Sequence, residues 1–362
     1  MGADAFWRRA SADCAGARRR LLVQAMTFEG DDTGMATAAV IGHSGAADRR
    51  VLVDAYSRVV VSDRWVGWPN AWLAADLRRE KADTMAMFGS LVTAGVAVRV
   101  TNPFSPLMAN YPARNHKKLI IADDAVYIGG VNFSDHNFRW RDFMLRLEGQ
   151  QAADFLTADF EATWSGRPAA STARLDGVRL MSLDGRTNDR FFDAIAELLA
   201  GARREIVILS AYLTFPFTAP LAAAAARGVA VRLITPWANN KPLVRDYLLD
   251  FAYRSGFEVR LLPDMSHLKA MLIDGRTLVV GSCNFDFVGH AAEEELAVVI
   301  DIPEVIGDFQ RLVIDPALAA AEPAGARRVS PAAGRLAHGL LGLSNIVVRA
   351  ARHAPRTAVD WS

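Results

Sequence analysis

The 362-residue chain reads as an α/β protein built from two similar halves. Three observations predict this. Apolar runs rich in Val, Ile and Leu alternate with segments of helical periodicity, the pattern of a sheet covered on both faces. The run Ala94-Gly95-Val96-Ala97-Val98-Arg99 is echoed about half a chain later by Arg227-Gly228-Val229-Ala230-Val231-Arg232. A longer pattern, His116-x-Lys118 followed by Asp123, returns as His267-x-Lys269 followed by Asp274. Each copy ends in a glycine-small-x-Asn tail, Gly129 to Asn132 and Gly281 to Asn284.

Taken in order, residues 5–20 read as a helix with Arg18-Arg19-Arg20 at its end, where cations suit the helix dipole. A packing helix is the plain reading and an interfacial anchor the alternative. Residues 21–28 form a strand, 33–41 a helix, 50–55 a strand, 74–94 a helix and 96–102 a strand. Residues 102–115 are rich in Pro and Asn and so form a loop, which delivers the chain into the first motif. Residues 119–121 and 126–128 pair as a hairpin turned by Asp123-Asp124. A helix at 152–164 precedes a linker at 165–172. The second half repeats the scheme: helix 188–202, strand 205–213, helix 219–227, strand 229–235, helix 242–255, strand 257–262, then a hairpin of 270–273 with 278–280. Residues 331–352 mix leucines with Arg335, Arg349 and Arg352. They read as a terminal helix packed on the domain, or as an interfacial amphipathic helix with basic flanks. The expected organisation is a first half at 1–165, a second at 173–315 and a tail at 316–362.

Hydrophobic content of 51% supports a sizeable core, and a formal net charge of +1 gives no bulk attraction to nucleic acid. Two cysteines, Cys14 and Cys283, are too few for a disulfide framework, which fits a reducing cytoplasm. Without a run of 18 apolar residues no transmembrane helix is expected, and residues 1–20 lack the apolar core of a signal peptide.

On a strand, His-x-Lys puts both side chains on one face. An imidazole beside an ammonium, with an Asn nearby, suits an anionic oxygen: lysine neutralises charge, and histidine attacks or shuttles protons near neutral pH. Of 41 Lys+Arg only five are lysine, namely Lys81, Lys117, Lys118, Lys241 and Lys269, yet both motifs use one. Lysine's compact charge and arginine's fork are not interchangeable at a reacting phosphate. Chance hairpins with surface polar residues could explain one copy, but two copies with matching tails are a specific signal.

These residues resemble the phospholipase D superfamily, and within it the bacterial cardiolipin synthases and their phospholipase D-like relatives. Trp140-Arg141-Asp142 follows the first Asn as that group's WRD segment does, Glu295 follows the second Asn where the group has a Glu, and residues 27–34 (TFEGDDTG) resemble the segment after its first strand. The resemblance covers roughly residues 5–315. It implies two pseudo-symmetric α-β-α sandwich halves, the phospholipase D fold, with the active site at their interface. It further implies a phosphohistidine mechanism in which His116 attacks phosphorus and His267 is the acid, then the base. Lys118, Lys269, Asn132 and Asn284 would hold the non-bridging oxygens. Asp142 would orient His267 and Glu295 would orient His116. Asp123 and Asp274 belong to the catalytic motifs, and their expected work is to hold their own hairpins. No cofactor or metal is implied, because lysines do the neutralising.

Two departures stand out. Five residues separate Asp123 from Gly129 but six separate Asp274 from Gly281, and Val288-Gly289 followed by His290 stand where relatives often have Arg-Ser. The expected substrates are a phospholipid and an alcohol, met at the inner face of the membrane by a peripheral protein of undefined oligomeric state. Hydrolysis by a phospholipase D and cleavage of nucleic acid are the alternatives. Balanced charge disfavours nucleic acid. Residues 103–108 (PFSPLM) and 212–217 (YLTFPF) offer an apolar approach for acyl chains, with core packing as the competing reading.

Overall fold

The structure is a computed structural model that describes residues 1–65, 74–325, 327 and 329–361, with only the backbone of Trp65 and Leu107. It divides into two units, Met1–Ala169 with Ala354–Ser362, and Ala170–His353.

In the first unit, helix α1 (Ala3–Gly16) leads into strand β1 (Arg20–Ala25). Helix α2 (Asp32–His43) leads into β2 (Asp48–Asp54), and a small ribbon of β3 (Val60–Val61) and β4 (Arg64–Trp65) follows. Helix α3 (Ala75–Thr93) precedes β5 (Ala97–Thr101). Strands β6 (Leu119–Ala122) and β7 (Ala125–Gly129) form the motif hairpin, and α4 (Asp135–Arg139), β8 (Met144–Glu148) and α5 (Gln150–Trp164) complete the run. β1, β2 and β5 are parallel, whereas β6, β7 and β8 continue the sheet antiparallel.

The second unit repeats this plan after a hairpin of β9 (Ser171–Leu175) and β10 (Val178–Asp184). Its successive elements are α6 (Asp189–Gly201), β11 (Glu205–Ser210), α7 (Thr218–Ala226), β12 (Ala230–Pro236), α8 (Pro242–Arg254) and β13 (Glu258–Leu262). The second motif hairpin is β14 (Lys269–Ile273) with β15 (Thr277–Gly281), followed by α9 (Phe287–Ala291), β16 (Glu294–Ile300), α10 (Pro303–Phe309), α11 (Asp315–Ala320) and the short β17 (Glu322–Pro323). Again three strands, β11, β12 and β13, run parallel and the motif strands join them antiparallel. Each motif strand is therefore interior, bonded on one side to the first parallel strand and on the other to its hairpin partner. Burial on both sheet faces explains why the motif strands read as unbroken apolar runs rather than alternating ones.

Residues 316–362, set apart in the sequence as a tail, contribute to both units. Helix α12 (Pro331–Ala351) packs on α8 and α9. The last strand, β18 (Ala358–Asp360), pairs with β5 at the edge of the first sheet. The 165–172 linker is shorter than the sequence suggests, because Ser171 and Thr172 already belong to β9. That strand is an edge and mostly exposed, so its composition looks like a loop.

The first motif has an anchor that the second lacks. Lys117, between His116 and Lys118, points to the opposite face of the chain and is fully buried. Its Nζ donates to Asp159 of α5 at 2.6 Å and to the Thr163 hydroxyl at 3.3 Å. Leu268 holds the equivalent place in the second motif and is buried without carrying a charge. Breaking a buried ion pair from one side strands a charge, whereas replacing both partners with apolar groups does not. Lys117→Met is therefore expected to lower unfolding stability by about 3–5 kcal/mol in urea titrations. The double variant Lys117→Met/Asp159→Leu should recover most of that loss.

Candidate active site

Both motifs share one local geometry. His116 and Lys118 are buried just ahead of β6, and Lys118 Nζ donates to the His116 carbonyl oxygen at 2.7 Å. His267 and Lys269 are likewise buried, and Lys269 Nζ donates to the His267 carbonyl at the same 2.7 Å. Each ammonium is thus fixed beside its own histidine by an i to i−2 bond across one pleat. Such preorganisation is what a site for developing negative charge needs.

The entry to the first motif is a polar network. Asp54, at the end of β2, accepts from Arg114 Nη1 at 3.1 Å and from the Asn115 N–H at 2.8 Å, while Gln24 on β1 donates to Asn115 Oδ1 at 2.8 Å. Asp54 and Gln24 are fully buried. Sequence reading passed over both because each sits inside an apolar strand. A lone acid ending such a strand was the available signal.

The motif aspartates lie at the other end of the hairpin. Asp123 and Asp274 both take positive φ, 53° and 55°, at the turn. The Asp123 carboxylate accepts from the N–H groups of Arg18, Arg19 and Arg20 at 2.9, 2.8 and 3.0 Å. Asp274 accepts from Arg203, Arg204 and Glu205 at 2.8, 2.8 and 3.0 Å. Burial raises each carboxyl, but the backbone donors and a neighbouring arginine outweigh it, leaving both below the usual carboxylate range. From Lys118 to Asp123 is about 15 Å of strand. The aspartates are not brought together with the His-Lys pair; they fasten each hairpin to the residues entering the first parallel strand of its sheet. The first turn is the pair Asp123-Asp124 and the second is Asp274-Gly275-Arg276, with Gly275 at φ 67°, which accounts for the one-residue difference in spacing.

The glycine tails are set by close approach. A Cβ on Gly129 would lie 2.2 Å from the Phe143 carbonyl oxygen, and one on Gly281 2.2 Å from that of Leu296. A Cβ on Gly130 would lie 2.3 Å from the Asp142 carboxylate, so glycine here makes room for that acid. In the second unit Ser282 takes the place, and its hydroxyl donates to Glu295 at 2.5 Å. Asp142 and Glu295 are buried equivalents, each standing beside its own half's tail. Asn132 accepts from the Thr27 N–H at 3.3 Å and donates to Asn137 at 3.4 Å. Asn284 is buried within the second unit. After each Asn comes a phenylalanine that stitches the tail to the end of the first strand: Phe133 bridges Phe28, and Phe285 bridges Leu213. The repeated Asn-Phe pair was visible in the sequence and extends the doubled pattern by one residue.

The family model for the "cardiolipin synthase, PLD-like domain" matches residues 13–164 and 195–313. The chain belongs to this family. It is 28% identical over 320 residues to cardiolipin synthase B of Escherichia coli, covering 78% of this chain and 71% of that protein. Over 245 residues it is 26% identical to the minor cardiolipin synthase ClsB of Bacillus subtilis, with 59% and 58% covered. Among solved structures, the phosphatidylserine synthase of Haemophilus influenzae matches with a TM-score of 0.70 at 14% identity, over 97% of this chain and 94% of that one. That likeness shows a shared fold, the family model makes it the phospholipase D-like one, and family membership makes the chain an enzyme.

Two residues stand beside the second motif where local sequence gives them no such place. Tyr212 stands edge-on to the His267 ring at 5.9 Å between centroids, and Lys241 Nζ lies 4.4 Å over the Tyr212 ring. The scarcity of lysine was the signal that could have found Lys241. Residues 212–217 do not form an exposed apolar lip: Tyr212, Leu213 and Phe217 are buried, Phe217 packs into the second unit's core, and half-buried Phe215 packs against Tyr247 and Phe287. In residues 103–108, Phe104 is half-buried, stacked on Tyr111 and covered by the Arg114 guanidinium.

The TFEGDDTG segment is structural at both ends. Asp31 caps α2 through the Gly34 N–H at 2.9 Å and accepts from the Asp135 N–H at 2.6 Å. Buried Glu29 is pushed up to about 9, by burial first and then by the charges of Glu80 and Asp31. Ligand atoms of Glu29, Asp31 and Glu80 lie within 4.8 Å of one another and could hold a cation. Burial lowers the His136 and His290 pKa values. His136 stands between Glu29 and Asp63, and His290 meets Asp189 at 3.0 Å.

Asp274→Ala is expected to cost about 2 kcal/mol of unfolding stability at neutral pH, since it removes three hydrogen bonds to a charged acceptor at a partly exposed turn. The folded-state pKa is depressed, so this contribution is complete above the unfolded value near 3.8 and is lost as pH falls through the folded one. Denaturation of wild type and variant at pH 7 and at about pH 3 should show the difference shrinking in acid.

Proposed function

We propose that the protein transfers a phosphatidyl group from a phospholipid to an alcohol through a phosphohistidine, with water as a competing acceptor. The observation that carries this reading is the duplicated His-Lys cradle, in which each buried ammonium is held at 2.7 Å by the carbonyl of its own histidine. The cardiolipin synthases among the relatives, and a phosphatidylserine synthase of the same fold, support phospholipid as the substrate class.

In this reading the two motifs serve one phosphodiester. A ring nitrogen of His116 attacks phosphorus, the bond to the leaving alcohol breaks, and that oxygen takes a proton from the His267 imidazolium. The neutral His267 then takes the proton of the incoming alcohol, whose oxygen attacks phosphorus. The P–N bond breaks and its electron pair returns to His116. Lys118, Lys269, Asn132 and Asn284 offer donors to the non-bridging oxygens. Asp142 orients His267 and Glu295 orients His116, while Asp123 and Asp274 act on register rather than on phosphorus.

The test is lipid product analysis by mass spectrometry, with mixed micelles of phosphatidylglycerol and added glycerol or other alcohols. Wild type should form acceptor-dependent phosphatidyl products, and the activity should survive EDTA. His116→Ala and His267→Ala should each lower turnover at least roughly a thousandfold, with the double variant little worse, because the pair acts as one unit. Cleavage of single-stranded DNA that is lost in His116→Ala, with no lipid product, would overturn the reading.

A further inference from the structure

Helix α12 is amphipathic twice over. On its buried side Ala337, Leu341 and Val348 pack against Tyr247 of α8 and Phe287 and Ala291 of α9, and Gly334 lies against Asp250. Ser330 caps its N-terminus, and the His338 ring lies 4.3 Å from that of Tyr247. Its outer side is also apolar: Leu336, Leu343, Ile346 and Val347 are 61–65% exposed, and Leu340 is 41% exposed. The steps 336, 340, 343 and 347 follow the helical repeat, so four of the five fall on one stripe with Ile346 at its border. The other large apolar residues exposed among the described ones are scattered over other elements. An unbroken apolar stripe of this kind marks an interaction surface.

Charge identifies the occupant. Between Pro323 and Asp360 the sequence has six arginines and no Asp or Glu, in a chain whose net charge is only +1. Arg335 and Arg349, near the two ends of the stripe, are exposed. The acids that meet the helix are paired with residues other than Arg335 and Arg349: Asp250 with Arg254 and His338, and Asp189 with Arg352 and His290. Apolar side chains flanked by unopposed guanidiniums match the boundary between acyl chains and anionic headgroups.

We propose that the outer face of α12 seats the protein on an anionic lipid bilayer. The phospholipid substrate proposed above gives this surface its purpose, but docking is measurable without turnover. The full chain is floated with vesicles of phosphatidylcholine alone or with about a quarter phosphatidylglycerol, at low and high salt. Wild type should bind the anionic vesicles and be released by salt. Leu336→Gln/Leu343→Gln/Val347→Gln should lose binding at least roughly a hundredfold, and Arg335→Gln/Arg349→Gln roughly thirtyfold at low salt, with thermal unfolding unchanged in both. A dye on Leu343→Cys gives a second readout, because Cys14 and Cys283 are buried, and its emission should shift to the blue on anionic vesicles. An unshifted dye on vesicle-bound protein would overturn the proposal. So would unchanged flotation of the triple variant together with a drop in its sedimentation mass, which would give the stripe to a second copy of the chain. Flotation without any lipid product would keep the surface and sink the phosphatidyltransfer reading, whereas lipid turnover in micelles without flotation would do the reverse.

Discussion

A carboxylate held by three backbone N–H groups at the turn of each motif hairpin is the interaction on which the rest depends. A strand that slips by one residue moves every side chain to the other face. For His116 and Lys118 such a slip would exchange the site's two functional groups for Lys117. Asp123 and Asp274 prevent it from the far end of the strand, binding the turn to the residues that enter β1 and β11. The third member of each His-Lys-Asp pattern thus acts through register. Its spacing is the length of one short strand, so it cannot reach where the histidine and lysine do.

The two halves solve the same problem with different chemistry. The first motif is entered through Asp54, Arg114, Asn115 and Gln24 and is backed by the Lys117–Asp159 pair. The second has Leu268 at the backing position and carries Tyr212 and Lys241 beside His267. Beside the tails, Gly130 makes room for Asp142 by lacking a side chain, whereas Ser282 bonds Glu295 directly. Buried ion pairs and buried acids specify geometry more than they add stability. The polar burden on the first motif therefore reads as positioning.

Much of this was legible in the sequence. Interior motif strands betray themselves as apolar runs, and the repeat of 94–99 at 227–232 marks the equivalent approach to β5 and β12. What escaped is physically of two kinds. Edge and antiparallel strands such as β8, β9 and β10 mix polar and apolar residues, so local composition does not separate them from loops. Residues such as Asp54 and Gln24 have meaning only through partners 60 to 91 positions away. The YLTFPF run misled for the opposite reason: aromatic residues beside turn formers look exposed, but here Phe217 fills the core, Phe215 packs on Tyr247 and Phe287, and Tyr212 is buried beside His267.

In the proposed reaction two histidines act in turn on one phosphorus through a covalent intermediate. Two successive in-line displacements, each inverting phosphorus, return the original configuration. The most direct measurement is the stereochemical course of transfer from a phosphorothioate diester chiral at phosphorus to an alcohol, read by phosphorus NMR. Retention of configuration is the result predicted. Net inversion would mean a single displacement without a phosphohistidine and would contradict the account.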